Sequence, residues 1–255
     1  MRFFIAILAI LWTAPSSAAD VIVKDGNTLL IADVAYRLDG IDAPEFDQMC
    51  IDEHADPWTC GVEARDQLTK LIADRHVHCT DIGPDKTYSK RHMGICSVDG
   101  EAGSLNQRMV RQGYALNFEP VANEPYVKGG FGGDESSAKT DRLGLWRGCF
   151  VAPQAFRHWD QASALLGSSC RSDKDRELRQ ALFPDEPAMP PGCPIKAKYA
   201  KRAHVTGHVG IYQLQGCRSY ASVTKPDRWF CSAEDAAAAG FRRAFNCFAV
   251  PRRRP

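Results

Sequence analysis

The chain has 255 residues, 44% of them hydrophobic and 25% charged, with 20 Gly, 15 Pro and a formal net charge of +1. The apolar share excludes a disordered polymer, and the Gly and Pro counts exclude a collagen-like one. The near-neutral total hides a split: residues 20–192 carry 19 Lys+Arg against 28 Asp+Glu, and residues 193–255 carry 12 against 3, so a polyanion would be felt first at the basic end.

In chain order, Arg2 precedes an apolar run from Phe3 to Trp12, followed by Pro15 and Ser16-Ser17-Ala18-Ala19. A short positive start, a short apolar core and small residues suit signal peptidase, with cleavage after Ala18 or Ala19. Residues 1–19 are therefore expected to be a signal peptide. The mature protein is expected to be secreted or periplasmic, with no membrane segment once the signal is cleaved. Export makes disulfides the first reading of Cys50, Cys60, Cys79, Cys96, Cys149, Cys170, Cys193, Cys217, Cys231 and Cys247. Zinc would need closely spaced ligand pairs, and the ten cysteines form no C-x-x-C.

From Val21 to about Val98 short β-like runs alternate with turns. Val21–Val23 leads into Asp25-Gly26-Asn27, a hairpin-type turn, and Thr28 to Val34 and Ala35 to Leu38 continue as strands. Cys60 to Ala73 reads as a helix from Val62, Leu68, Leu71 and Ile72. Val77 to Thr80 and Met93 to Val98 resume the strand pattern. A second helix carries Leu105, Met109 and Val110 and ends near Gly113; a third runs from Asp134 to Leu143. The order predicts an α+β domain: a five-stranded OB-type β-barrel with about three helices over residues 20–157. Residues 158–192 read as a helical, proline-rich linker, 193–247 as a small basic Cys-rich module and 248–255 as a basic tail.

Chemistry concentrates in Arg37-Leu38-Asp39-Gly40-Ile41-Asp42-Ala43-Pro44-Glu45. A cation sits on a strand, and two carboxylates flank the Ala43-Pro44 bend beyond it. Such a set could hold a hard cation through Asp42 while Glu45 deprotonates a water, or be a surface ion pair at a turn. His76, His78 and His92 could be read as a metal cluster or as general acids, and read first as half-exposed strand residues.

Together with Asp25-Gly26-Asn27-Thr28, this stretch resembles the D-G-D-T … R-L … D-[TA]-P-E pattern of the staphylococcal nuclease-like (thermonuclease) family. Further matches follow in order: Gly61-Val62-Glu63-Ala64, Asp85 to Arg91, Asn106 … Val110 to Ala115, Glu135 … Ala138 and Gly144 to Gly148. The resemblance spans about residues 21–157 and implies an OB barrel that cleaves DNA and RNA phosphodiesters, usually with Ca²⁺. It implies Glu45 as general base, Arg37 and Arg91 as phosphate clamps, and a cation held by Asp42, Asn27 and the Ala43 carbonyl. Lys90, Phe118 and Tyr126 are the implied substrate contacts. There are two departures. Asn27 stands where the family has a second carboxylate, so one negative charge is missing. The stretch Tyr88-Ser89-Lys90-Arg91 is one residue longer than the family's Y-G-R; counting back from Cys96 puts Arg91 at the family's arginine, with Lys90 facing the other way.

The barrel reading makes Cys79 and Cys96 neighbours across the sheet, and a Cys50–Cys60 bridge would brace the chain near Glu45. The tail from Tyr212 to Ala244 resembles a small module appended to some secreted bacterial nucleases, with Ser232 as a helix N-cap. Its basic surface would hold a nucleic-acid strand or be merely solvated. A nucleic-acid substrate and a monomeric protein are expected. The alternative is a weakly active accessory protein on the same barrel, for example in exopolysaccharide (succinoglycan) production. A redox role would need a reactive thiol.

Overall fold

The computed structural model describes residues 21–86, 88, 90–118, 130–200 and 208–247; the expected signal peptide, the basic tail and Tyr126 lie outside them.

The first turn is made by its own side chains. Asp25 Oδ1 accepts from the Asn27 N–H at 2.8 Å, closing an Asx turn between β1 (Val21–Asp25) and β2 (Thr28–Ile31). A Cβ at Gly26 would lie 2.7 Å from the Ala43 Cβ and 2.8 Å from the Ala64 Cβ. Only glycine lets this turn press against both the carboxylate loop and the first helix. β2 ends earlier than expected, because Ala32 and Asp33 take positive φ (46° and 69°) and turn the chain into β3 (Val34–Leu38).

Five strands form one sheet in the order β1-β2-β3-β8-β7, where β7 is Val77–Pro84 and β8 is Arg91–Val98. β3 pairs parallel with β8, placing Arg37 beside Met93. β7 and β8 are longer than predicted. Their hairpin continues through Asp81, Gly83 and Pro84 with a register shift between Asp81 and Gly83, so cross-strand pairing overrides the poor β-propensity of those residues. Short pairs complete the rim: β4 (Ile41–Asp42) with β9 (Leu116–Asn117), and β5 (Cys50–Ile51) with β6 (Pro57–Trp58).

Helix α1 (Cys60–Ile72) buries Cys60, Gly61, Ala64, Leu68, Leu71 and Ile72 along one face; Leu68, Leu71 and Ile72 follow the helical spacing, while Val62 is only half-buried. Ala64, Leu68, Leu71 and Ile72 join Leu29, Leu38, Ile41, Val98, Leu105 and Met109 in the main core, each large side chain stabilising the fold by about 1.5–3 kcal/mol. Helix α2 (Leu105–Arg111) starts at Ser104, whose side chain accepts from the Gln107 N–H. On it, fully buried Asn106 donates to the carbonyls of Asp39 and Gly94 and accepts from the Cys96 N–H, tying helix to sheet. Helix α3 spans Gly132–Thr140, starting inside the glycine run and stopping three residues short of Leu143.

Beyond this five-stranded sheet of OB type, in which no pairing of β1 with β7 closes a barrel among the described residues, β10 (Phe150–Val151) pairs with β11 (Leu165–Leu166). Helix α4 (Pro153–Arg157) lies between them with Pro153 in its first turn, and α5 (Asp175–Leu182) follows. Phe156, Leu178, Leu182 and Phe183 share a core with Ile51 and Val151, so much of the stretch read as a linker packs onto the barrel. The C-terminal module is a four-stranded sheet, order β14-β12-β13-β15, built from β12 (Ile195–Tyr199), β13 (Gly210–Gln213), β14 (Arg228–Phe230) and β15 (Phe241–Arg243). Helix α6 (Ala233–Ala238) begins at Ser232, whose hydroxyl accepts from the Asp235 N–H.

All ten cysteines are paired: Cys50–Cys60, Cys79–Cys96, Cys149–Cys170, Cys193–Cys231 and Cys217–Cys247. Five disulfides belong to an oxidising, extracytoplasmic environment, and no thiol is left for redox chemistry. Among the described residues no helix is long and apolar enough to cross a membrane.

Candidate functional site

The Ala43-Pro44 bend is held from below. Gln48, fully buried, accepts from the Glu45 N–H at 3.2 Å and donates to the Val151 carbonyl at 2.9 Å. The Cys50–Cys60 disulfide fastens the same loop to the start of α1. There Gly61 lies so close that a Cβ would be 1.8 Å from the Glu45 carbonyl oxygen.

From this loop Glu45, from β3 Arg37 and from the start of β8 Arg91 line one cavity of about 500 Å³, with Phe118 also on its wall. Asp42, 3% exposed, lies beneath it: its Oδ1 accepts from Arg37 Nη2 at 2.8 Å. Arg91 is aimed by buried Asp85, whose Oδ2 accepts from its Nε at 2.8 Å and Nη2 at 2.7 Å. Phe118 is 44% exposed and Lys90 is exposed, outside the cavity lining; Tyr126 lies outside the described residues. Asn27 is buried, with its amide between Asp25 and Arg37. Turned to suit them, its nitrogen donates to Asp25 Oδ1 at 3.0 Å and its oxygen accepts from Arg37 Nη2 at 3.2 Å.

Two further arginines meet the same carboxylates. Arg157, at the end of α4, donates from Nη1 to Glu45 Oε1 at 2.5 Å and from Nη2 to Asp42 Oδ1 and Oδ2 at 2.9 and 2.8 Å. Arg228, from the C-terminal module and fully buried, donates from Nε and Nη2 to Asp47 at 2.8 and 2.7 Å, and from Nη2 to Glu45 Oε2 at 3.4 Å. Its guanidinium is flanked by the rings of Phe156 and Phe230. Sequence reasoning assigned neither arginine a role. The available signal was Arg228-Trp229-Phe230-Cys231, a charge inside an apolar strand that needs a buried partner. Arg157 carried none, since α4 brings it back to the bend only through tertiary packing.

These contacts set the electrostatics. Burial would push the Glu45 carboxyl up, but the guanidiniums of Arg157, Arg228 and Arg37 together hold it below its ordinary value. Burial lowers Arg37, while Asp42 pulls it back up. Arg157 and Arg228 are both raised, burial being outweighed by Glu45 and Asp42 for the first and by Asp47 above all for the second. Asp25 is raised by burial, and Glu45 adds to that.

The set does not fit a divalent cation. Both oxygens of Asp42 and both of Glu45 already accept from guanidiniums, and the Asn27 oxygen, with its amide so turned, faces Arg37, which also donates to Asp42. Ca²⁺ takes six to eight oxygens at close range. A divalent ion about 4 Å from a guanidinium would meet roughly 8 kcal/mol of repulsion at an effective dielectric constant of about 20. Elsewhere, His76, His78 and Asp99 bring ligand atoms within 4.8 Å of one another, with His78 and Asp99 hydrogen-bonded at the surface.

The family model described as "Staphylococcal nuclease homologue" matches residues 35–148, covering Arg37, Asp42, Glu45 and Arg91 but neither Arg157 nor Arg228. The succinoglycan biosynthesis protein ExoI of Rhizobium meliloti (strain 1021) is 31% identical over 146 residues, which is 54% of this chain and 72% of that protein. With the five-stranded sheet, its helices and the ordered motifs, these matches establish that the chain belongs to the staphylococcal nuclease-like family.

Proposed function

We propose that the protein is an exported nuclease that hydrolyses nucleic-acid phosphodiesters in the cavity between barrel and C-terminal module. The observation that carries the reading is the convergence of Arg37 and Glu45, from one stretch of chain, and Arg91, from another, on that cavity. Two guanidiniums on its wall offer fork-shaped donors to phosphate oxygens and neutralise the charge that grows as a pentacoordinate state forms. Glu45, ionised at neutral pH, accepts the proton of the attacking water. Phe118 offers an exposed ring for a base. Ca²⁺ has no part in this scheme, because the oxygens of Asp42 and Glu45 already accept from guanidiniums. Secretion or a periplasmic location is part of the proposal and rests on the N-terminal pattern and the five disulfides.

The test is incubation of the mature, oxidised protein with single-stranded DNA and with RNA. Cleavage is expected, and Glu45→Gln is expected to reduce it by at least about 10²-fold, the lower range for a general base. Intact substrate at high enzyme concentration would overturn the reading. It would favour the second one, an accessory role with little turnover, such as in exopolysaccharide production. Two facts support that alternative: both Glu45 oxygens accept from arginines, and the relative at 31% identity is named for succinoglycan biosynthesis.

A further inference from the structure

We propose that the Arg157 guanidinium is a resident cation: it takes the place of a divalent metal between Asp42 and Glu45, so the site binds its anion without metal. The inference deepens the phosphodiester reading and rests on it for the identity of that anion. Three observations carry it. Arg157 bridges the two carboxylates, with Nη1 on Glu45 and Nη2 on both oxygens of Asp42. The residue that would have offered a further carboxylate beside Asp25 is Asn27, whose oxygen, with the amide turned to suit its neighbours, accepts from Arg37. Removing one negative charge from a site is the change that suits a monovalent cation over a divalent one. Finally, Arg157 is built in rather than draped over the site. It ends a helix whose Phe156 is buried with Val151, Leu178 and Leu182, and only 19% of its own side chain is exposed.

A guanidinium differs from a metal ion in what it can do. It offers planar N–H donors, orients an anion and neutralises charge, but it leaves no open coordination position for a water. Arg157 lies on the cavity wall with Arg37 and Arg91, and three guanidiniums around one space match the oxygens of a phosphodiester. The loss of a carboxylate at Asn27 and the gain of an arginine from outside the family-matched residues are thus two halves of one exchange.

The experiment is Ca²⁺ calorimetry on the mature oxidised protein, its Asn27→Asp and Arg157→Met variants and the double variant, with near-ultraviolet circular dichroism to check folding. The wild type and Asn27→Asp are expected to show no saturable Ca²⁺ binding up to about 10⁻³ M, the weak end of protein calcium sites. The folded double variant is expected to bind Ca²⁺ and to gain thermal stability from it. Saturable Ca²⁺ binding by the wild type that Asp42→Asn removes would overturn the proposal, as would a folded double variant that takes up none. Should the Arg157 variants not fold, oligonucleotide binding by the wild type decides: equal affinity in chelator and in Ca²⁺ supports the proposal, and dependence on Ca²⁺ overturns it. Absence of oligonucleotide binding under both conditions would sink the phosphodiester reading instead, and calorimetry on the wild type and Asp42→Asn would then decide the proposal: no saturable Ca²⁺ binding supports it, and binding that Asp42→Asn removes overturns it.

Discussion

Arg228 shows how one side chain can decide whether two parts of a chain act as one. Its side chain and that of Asp47 are each 1% exposed, and the two bonds between them are parallel and fork-shaped. Replacing such a pair with apolar groups of matching shape can be neutral, but removing one partner strands a buried charge at a cost of about 3–5 kcal/mol. Arg228→Met is therefore expected to lower the denaturation free energy by about that amount. Arg228→Lys should not recover it, because an ammonium cannot make both bonds to Asp47. Urea unfolding of the three proteins checks this, and a lysine variant as stable as the wild type would contradict it. Glu45, touched by the same guanidinium, should also lose part of its fixed orientation in either variant, lowering cleavage beyond what the fraction unfolded explains.

At the scale of elements, the carboxylate loop and helix α1 are fitted to each other through Gly61. A methyl there would stand 1.8 Å from the Glu45 carbonyl oxygen and 2.7 Å from its carbon, so backbone must move. Gly61→Ala is expected to cost about 1–3 kcal/mol, the range for overpacking, and to depress cleavage by displacing Glu45; denaturation and single-turnover assays on the same protein measure both. The elements themselves are largely readable from the sequence. The apolar stripe on Cys60–Ile72, the turn at Asp25-Gly26-Asn27 and the Ser104 and Ser232 caps are local patterns, and local patterns survive folding. Strand ends are not readable in that way: β7 runs to Pro84 and β8 starts at Arg91 because each supplies the other's hydrogen bonds. The site divides the same way. Arg37, Asp42 and Glu45 lie within nine residues, so a motif exposes them. Arg157 and Arg228 stand 112 and 183 residues from Glu45, and only the packing of α4 and β14 brings them back.

For the whole molecule, the join between module and barrel sets the response to pH. Asp235, on α6, faces Asp25 of the first turn at the cavity. Burial first, and then the Asp25 charge, push its carboxyl up to about 6, against the pull of Ser232, Lys24 and Arg91. Its ordinary value is 3.8, so the folded protein favours the protonated form more than the unfolded chain does. That contribution is complete below about pH 4 and is lost as pH rises through about 6. A rise of that size bounds the contribution at about 3 kcal/mol, and partial solvation of the side chain makes the true figure smaller. Glu45 works the other way. Its lowered carboxyl stabilises the fold above the ordinary glutamate value of 4.5, and that share disappears as acid protonates it. Stability is therefore expected to peak between these two titrations and to decline toward neutrality. Asp235→Asn should make the decline on the alkaline side shallower, leaving the share of Asp25, whose carboxyl is also raised, and should leave the acid side unchanged. Its unfolding free energy should match the wild type near pH 4 and exceed it at pH 7.5. Since the charge that disappears lines the cavity, the same variant should bind an oligonucleotide more tightly at pH 7.5 and no more tightly near pH 5. Parallel stability curves for the two proteins across pH 4–7.5 would show that the module does not press Asp235 against the barrel.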